Sequence, residues 1–161
     1  MTTSPARGRR YKLRLAVAAD VPELAAFERR VFRTYYAAHR FSAEQFARYL
    51  GQPRTIAHVI TDHRRIVGYS LGVLIFRHQP IARLVSLAVH ADYRGEGIGS
   101  ALLRRFLTAA RRRGAHAVYL ETAEPNTAAL ALFGRHGFIP VRRLPRYYTE
   151  RVDGIRLRRG W

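Results

Sequence analysis

Between His90 and Phe106 the chain reads HADYRGEGIGSALLRRF, with glycine at positions 95, 97 and 99 running directly into a helical pattern of leucine and arginine. The stretch before it, ARLVSLAV, and the stretch after it, AHAVYLET, both read as buried strands. Two strands separated by a helix must lie parallel, and the crossover must be right-handed. The helix pattern places Ile98, Ala101, Leu102, Phe106, Ala109 and Ala110 on one face, with Arg104, Arg105, Arg111 and Arg112 opposite, and Gly114 ends it. This unit constrains the rest of the fold, because every other element must cover or extend it.

Upstream, YKLRLAV alternates like a half-buried strand. Asp20 and Glu23 form a capping-box pattern for a helix burying Leu24, Phe27, Val31 and Phe32. Ser42 caps a second helix, with Phe46 and Leu50 inward, that ends at Gly51. RTIAHVIT and RIVGYSLGVLIFR are strands joined by a turn at Asp62 to Arg64. Downstream, NTAALALFGRH is a helix capped by Asn126 and stopped at Gly137, and FIPVRRL and GIRLRRGW form a closing pair of strands. The expected architecture is α/β (α+β): a mixed, mostly antiparallel twisted sheet of about seven strands, with helices on both faces and one parallel βαβ crossover. Residues 1–10 read as a disordered basic arm and 11–161 as one domain, with no linker or repeat.

The glycine segment has the outline of an anion site. The first turn of a helix carries unpartnered N–H groups and the positive end of the helix dipole. Glycines there remove Cβ atoms and allow positive φ, and Arg94 adds charge. A nucleotide-triphosphate loop would end in Gly-Lys-Ser/Thr, and here GIGSA has no lysine. A dinucleotide motif fits Gly95 and Gly97, with Glu121 as the ribose acid, but Ser100 takes the third glycine position and HADYR separates strand from glycines. A glycine turn without a ligand also stands as a reading.

LAVHADYRGEGIGSALL resembles the acetyl-CoA-binding segment of the GNAT superfamily of N-acetyltransferases, with Arg94-Gly95-Glu96-Gly97-Ile98-Gly99 in the place of its Arg/Gln-x-x-Gly-x-Gly/Ala motif. The resemblance continues through YLETAEPNTAALALFGRHGF and reaches back to LRLAVAADVPEL. PRYYTERVDGIRLRR resembles the ending of the ribosomal-protein alanine N-acetyltransferase-like subgroup. The resemblance implies direct acetyl transfer from acetyl-CoA to a primary amine in a ternary complex without metal; the positive surface and the PRYYTE segment favour a peptide or protein N-terminus over a polycationic amine, with a small neutral amine as the other acceptor. It implies that Leu87, Ala88 and Val89 present backbone groups to the pantetheine arm, and that an amide near Ala88 polarises the thioester oxygen. Gly95, Glu96, Gly97, Ile98, Gly99 and Ser100 would hold the pyrophosphate with Arg94, and Asn126 would touch the arm from the other side. Glu121 corresponds to the general base, made more effective by partial burial beside Phe133 and Leu87 and acting through one water; its other reading is an ion pair with an arginine. Phe133 stands where the family often has a proton-donating tyrosine, so Tyr147 and Tyr148 are the candidate phenols, unless CoA leaves as thiolate.

The net charge is +18, and of 29 Lys and Arg residues all but Lys12 are arginine. Such a field attracts anionic partners, ribosome or nucleic acid among them, and suggests an alternative: a catalytically weakened GNAT-fold module that binds through Arg104, Arg105, Arg111 and Arg112. The absence of cysteine excludes a thiol nucleophile and thiolate metal sites. No histidine pair has ligand spacing, and no serine sits in a Gly-x-Ser-x-Gly elbow. No apolar run is long enough to span a bilayer, so the chain reads as cytoplasmic, a monomer or homodimer.

Overall fold

In chain order the computed structural model, which describes residues 8–161, runs β1 (Tyr11–Leu15), α1 (Val21–Val31), α2 (Ala43–Leu50), β2 (Thr55–Asp62), β3 (Arg65–Ile75), β4 (Ile81–Val89), α3 (Ile98–Arg112), β5 (Ala117–Ala123), α4 (Thr127–Arg135), β6 (Ile139–Thr149) and β7 (Val152–Gly160). The strands form one sheet in the order β1-β2-β3-β4-β5-β7-β6. Every neighbouring pair is antiparallel except β4 and β5, the two strands of the expected crossover. Residues 1–7 of the expected basic arm lie outside the described residues. No described helix is long and apolar enough to cross a membrane.

Strand periodicity sorts the core onto two faces. Ala57, Val59, Tyr69 and Leu71 meet Leu24, Phe27 and Phe46 of α1 and α2. On the opposite face Ile56, Leu74, Leu84 and Leu120 meet Leu103 and Phe106 of α3 and Phe133 of α4. Leu102, Leu103 and Phe106 are fully buried, and together they contribute roughly 5–9 kcal/mol of apolar burial. α3 can approach so closely because position 72 has no side chain: a Cβ at Gly72 would lie 2.4 Å from the Phe106 ring and 2.5 Å from the Arg83 carbonyl oxygen.

Two sequence expectations need correction. The capping box at Asp20 does not form. Asp20 turns back to accept from the Val17 amide (2.8 Å) and from both terminal nitrogens of Arg14 (2.7 and 2.8 Å), and Glu23 accepts from the Ile66 amide. A charge-assisted bidentate bond outcompetes a cap for the same carboxylate. The closing strands also run past Leu144 almost to the turn at Glu150, placing Tyr147 and Tyr148 on β6 itself. The caps at Ser42, reciprocal with Gln45, and at Asn126 do form.

His58 on β2 is buried on the α3 face, and its Nδ1 has no hydrogen-bond partner among the described residues. Burial first, and Arg105 second, pull it down from 6.5 to about 4. The unfolded chain therefore takes up a proton near pH 6.5 that the folded chain refuses until about pH 4. Stability is full above that window and falls through it by roughly 3 kcal/mol. Urea midpoints measured from pH 7 to pH 4 should drop less steeply in His58→Leu than in the parent; parallel curves would remove His58 as the cause.

Candidate active site

β4 and β5 pair only at Ala82 with Val118 and Arg83 with Tyr119. Beyond those positions the strands part, and the β4 edge facing β5 from Leu84 onward has no strand partner. A bulge supports the divergence: Ser86 pairs with Leu71 and Leu84 with Gly72, which leaves Val85 without a partner on β3. The gap is a cleft of about 660 Å³ lined by Leu84 to Leu87 on one side and Leu120 to Thr122 on the other, with Asn126, the cap of α4, and Leu132 and Phe133 of α4 also lining it. Unpaired strand edges hold amide donors and acceptors in reach of an extended ligand.

The glycine loop lies where β4 gives way to α3. Gly95 (φ +78°) and Gly97 (φ +79°) are both in the left-handed region, so the residue type is required by the backbone. A Cβ at either would meet open space, so these positions face no neighbouring atoms. Gly97 provides no side-chain cap, and the first intrahelical bond runs from Ala101 to Gly97, leaving the amides of the first turn free of helix partners. Arg94 is exposed beside them. Glu96 turns its carboxylate away to Arg9 and Tyr11, so only its backbone faces the loop. Leu87 and Val89 approach the position a Gly99 Cβ would fill, Ala88 is buried, and the Ser100 hydroxyl pairs with His136 Nε2 at 3.1 Å.

Glu121 lies deep in the cleft, its side chain 7% exposed. Oε2 accepts from Arg83 Nη2 and Nε (3.0 and 3.2 Å), and Oε1 from Arg156 Nε and Nη2 (both 3.0 Å). The register explains the cluster: Arg156 is directly opposite Glu121, and Arg83 is opposite Tyr119, two residues earlier on the same face. The ion-pair reading of Glu121 is thus realised, in a position that also faces the cavity.

The tyrosines are delivered by a distortion. Between the pairs Leu144 with Gly154 and Thr149 with Val152, β6 holds three more residues than β7, and Arg146 takes a left-handed φ of +52°. Asp153 secures this bulge, accepting from the Arg146 amide at 2.7 Å and from Arg143 at 2.8 Å. Tyr147 and Tyr148 are carried to the cleft, where the Tyr147 hydroxyl accepts from Arg83 at 3.4 Å. Burial, with Tyr36 and Tyr147 adding to it, pushes the Tyr148 phenol far up, so it stays protonated. Phe133 is buried against Phe138 and can donate no proton.

Two groups that sequence patterns did not single out complete the site. Tyr36, between α1 and α2, accepts at its hydroxyl from Asn126 Nδ2 (2.9 Å) and the Ala123 amide (3.1 Å), and bonds Thr122 Oγ1 (3.0 Å). Asn126 is thereby committed both to its helix and to Tyr36. Rings of Phe32, Tyr36, His39, Tyr147 and Tyr148 form one aromatic wall. Glu28, fully buried, accepts from the Phe41 amide (3.0 Å) and from Tyr69, whose hydroxyl meets Ser86 on β4 at 2.7 Å. Burial pushes the Glu28 carboxyl up, partly offset by its bond to Tyr69. This network pins the loop bearing Tyr36 and His39 to the sheet. An acidic residue on the apolar stripe of α1 was the only signal of it.

The chain matches the Acetyltransferase (GNAT) family over residues 21–138. It is 43% identical over 75 residues to N-alpha-acetyltransferase MAK3 of Arabidopsis thaliana, covering 47% of this chain and 40% of that protein. It is 38% identical over 73 residues to N-alpha-acetyltransferase 30 of Schizosaccharomyces pombe, covering 45% of this chain and 49% of that one. The match thus spans about half the length of these relatives or less. With the [ribosomal protein bS18]-alanine N-acetyltransferase of Escherichia coli K12 it shares 27% identity over 135 residues, 84% of each chain. The crystal structure of the E. coli ribosomal-protein-S18-alanine N-acetyltransferase superimposes with a TM-score of 0.82 at 24% identity over 94% of each chain. That of A. thaliana NAA60 in complex with acetyl-CoA gives 0.83 at 18% identity over 94% of this chain and 98% of the other. At these identities the structural likeness is one of fold.

Proposed function

Because the chain belongs to the acetyltransferase (GNAT) family, we propose that it transfers an acetyl group from acetyl-CoA to a primary amine, the α-amino group of a peptide or protein N-terminus. The observation that carries this reading is the parting of β4 from β5, with Glu121 lining the gap and the free N-terminus of α3 next to it, where Gly99 lies against Leu87 and Leu132 of that lining. Support for the acceptor comes from two relatives named as N-alpha-acetyltransferases and a third named as a [ribosomal protein bS18]-alanine N-acetyltransferase. An aromatic wall beside the carboxylate suits the first side chain of a peptide. A cytoplasmic setting, where acetyl-CoA and new polypeptides meet, accords with a chain that has no cysteine.

The first-turn amides of α3, with Gly95 and Gly97 curled beneath them and Arg94 alongside, would hold the pyrophosphate. The free edge of Leu87 to Val89 would take the pantetheine amides, with the backbone near Ala88 directed at the thioester oxygen. When bound, acetyl-CoA supplies an acyl group already activated as a thioester. Glu121, held in place by Arg83 and Arg156, would accept the amine's proton through a water molecule. With no phenol at Phe133, Tyr147 and Tyr148 are the candidates to protonate the leaving thiolate; the Tyr36 hydroxyl, also in this space, is held by Thr122, Ala123 and Asn126.

The test begins with binding. At a hundredfold excess over Kd, acetyl-CoA should stabilise the fold by about 2.7 kcal/mol, a rise in Tm of about 5–10 °C. Gly97→Val, which forces a β-branched residue into the left-handed region, should weaken binding at least tenfold and remove most of that rise. A thiol-release screen of peptides differing in their first residue then identifies the acceptor. No thermal shift with acetyl-CoA would refute the enzymatic reading.

A further inference from the structure

Away from the cleft, the outer face of α3 and the ends of α4 and β7 enclose a second concavity of about 890 Å³. Arg104, Arg111, Arg112, Arg135, Arg159 and Trp161 line it, and its lining includes no Asp or Glu. Among the described residues none of those five guanidinium groups pairs with a carboxylate, whereas Arg9, Arg14, Arg48, Arg83, Arg143 and Arg156 all do. Five guanidinium groups around one hollow make it a region of positive potential that attracts anions. His136 at its rim reports the field: burial first, then Arg104, Arg135 and Arg159, hold it below its ordinary value. The indole of Trp161 is 41% exposed, with the Arg159 guanidinium 5.8 Å from its centroid. Arg111 lies about 16 Å along α3 from Ser100, so the hollow extends well beyond the first turn of the helix.

We infer that this groove binds single-stranded RNA, its phosphates held by the arginines and a base stacked on Trp161. An acidic peptide would find the cations, but only occasional apolar side chains would use the indole, whereas every nucleotide carries both a phosphate and a stacking base. A membrane surface would meet the cations as one charged plane, without using Thr108 or a stacking platform set beside them. A single strand uses both features, charge along the backbone and an aromatic platform for a base. The choice of RNA rests on the proposed acceptor, since polypeptide N-termini emerge from machinery built of RNA; the Thr108 hydroxyl in the groove can meet a ribose 2′-OH.

Trp161 is the only tryptophan, so its emission reads occupancy of the groove directly. The full chain is titrated with a twelve-residue oligouridylate at several salt concentrations, with and without saturating CoA. The expected result is a saturable change in emission, with affinity falling about a hundredfold from 50 to 200 mM salt if all five arginines contact phosphate. Arg111→Glu with Arg112→Glu should weaken binding at least tenfold and flatten the salt slope by about 1.4. Trp161→Ala, followed by anisotropy of labelled RNA, should weaken it about tenfold. Acetyl transfer by the double variant should equal that of the parent, so loss of RNA binding and loss of activity are separate results. The inference is overturned if CoA competes with RNA, if polyglutamate binds as tightly, if single-stranded DNA of like sequence binds equally well, or if the double variant keeps its affinity.

Discussion

Exchanging Glu121 for glutamine is expected to lower kcat by about a hundredfold or more while leaving the acetyl-CoA-induced rise in Tm intact. A positioned general base contributes about 10²–10⁴-fold, and the amide has the carboxylate's shape without its capacity to take a proton. The geometry adds a second consequence. Glu121 offers one oxygen to Arg83 and the other to Arg156, and in glutamine one of these becomes an NH2 that confronts a guanidinium. Arg83 then loses the partner that orients it toward Tyr147. The two effects separate by measurement. Loss of the base lowers kcat with KM and Tm little changed, whereas disordered arginines change KM and Tm. A purely structural Glu121 would show the second pattern without the first, and unchanged turnover would remove it from the mechanism.

Gly72→Ala should cost at least about 3 kcal/mol, since overpacking of a closed core costs typically 1–3 kcal/mol and here backbone is struck as well. The added methyl would fall 2.4 Å from the Phe106 ring and 2.5 Å from the carbonyl oxygen of Arg83. The ring can tilt, but the carbonyl belongs to the last position where β4 pairs with β5. Thermal melts should show a Tm lower by about 6–12 °C. Phe106→Leu in the same chain should restore only part of the loss, because it frees the ring contact and not the carbonyl. Turnover of the folded fraction should fall too, since displacing Arg83 disturbs Glu121. A melt within about 2 °C of the parent, the effect of less than about 1 kcal/mol, would show that α3 is less tightly seated than the structure implies.

Much of this molecule is legible in local pattern. Strand, glycine loop, helix and strand announce the crossover through changes of period, and Ser42 and Asn126 announce helix starts through chemistry acting over three residues. The requirement for glycine at 95 and 97 is equally local, because positive φ is a property of one residue's backbone. Glu121, Tyr147 and Tyr148 were nameable as candidates by resemblance to a family. Their surroundings were not. Asp20 followed Arg14 in place of its own helix, because a nearby guanidinium offers a stronger bond than a cap.

Position along the chain and helical or strand period are enough to specify the order of elements, the buried faces and the anion-ready turn, since each depends on neighbours within a few residues. Contacts between distant segments set everything else: where β4 leaves β5, which two arginines flank Glu121, how the bulge at Arg146 presents two tyrosines, and how Tyr36 reaches across to Asn126. Those depend on strand register and on competition among 29 cations for 11 carboxylates. Such a competition is resolved only when the sheet has brought particular pairs within bonding distance and left the arginines of the outer groove without a partner.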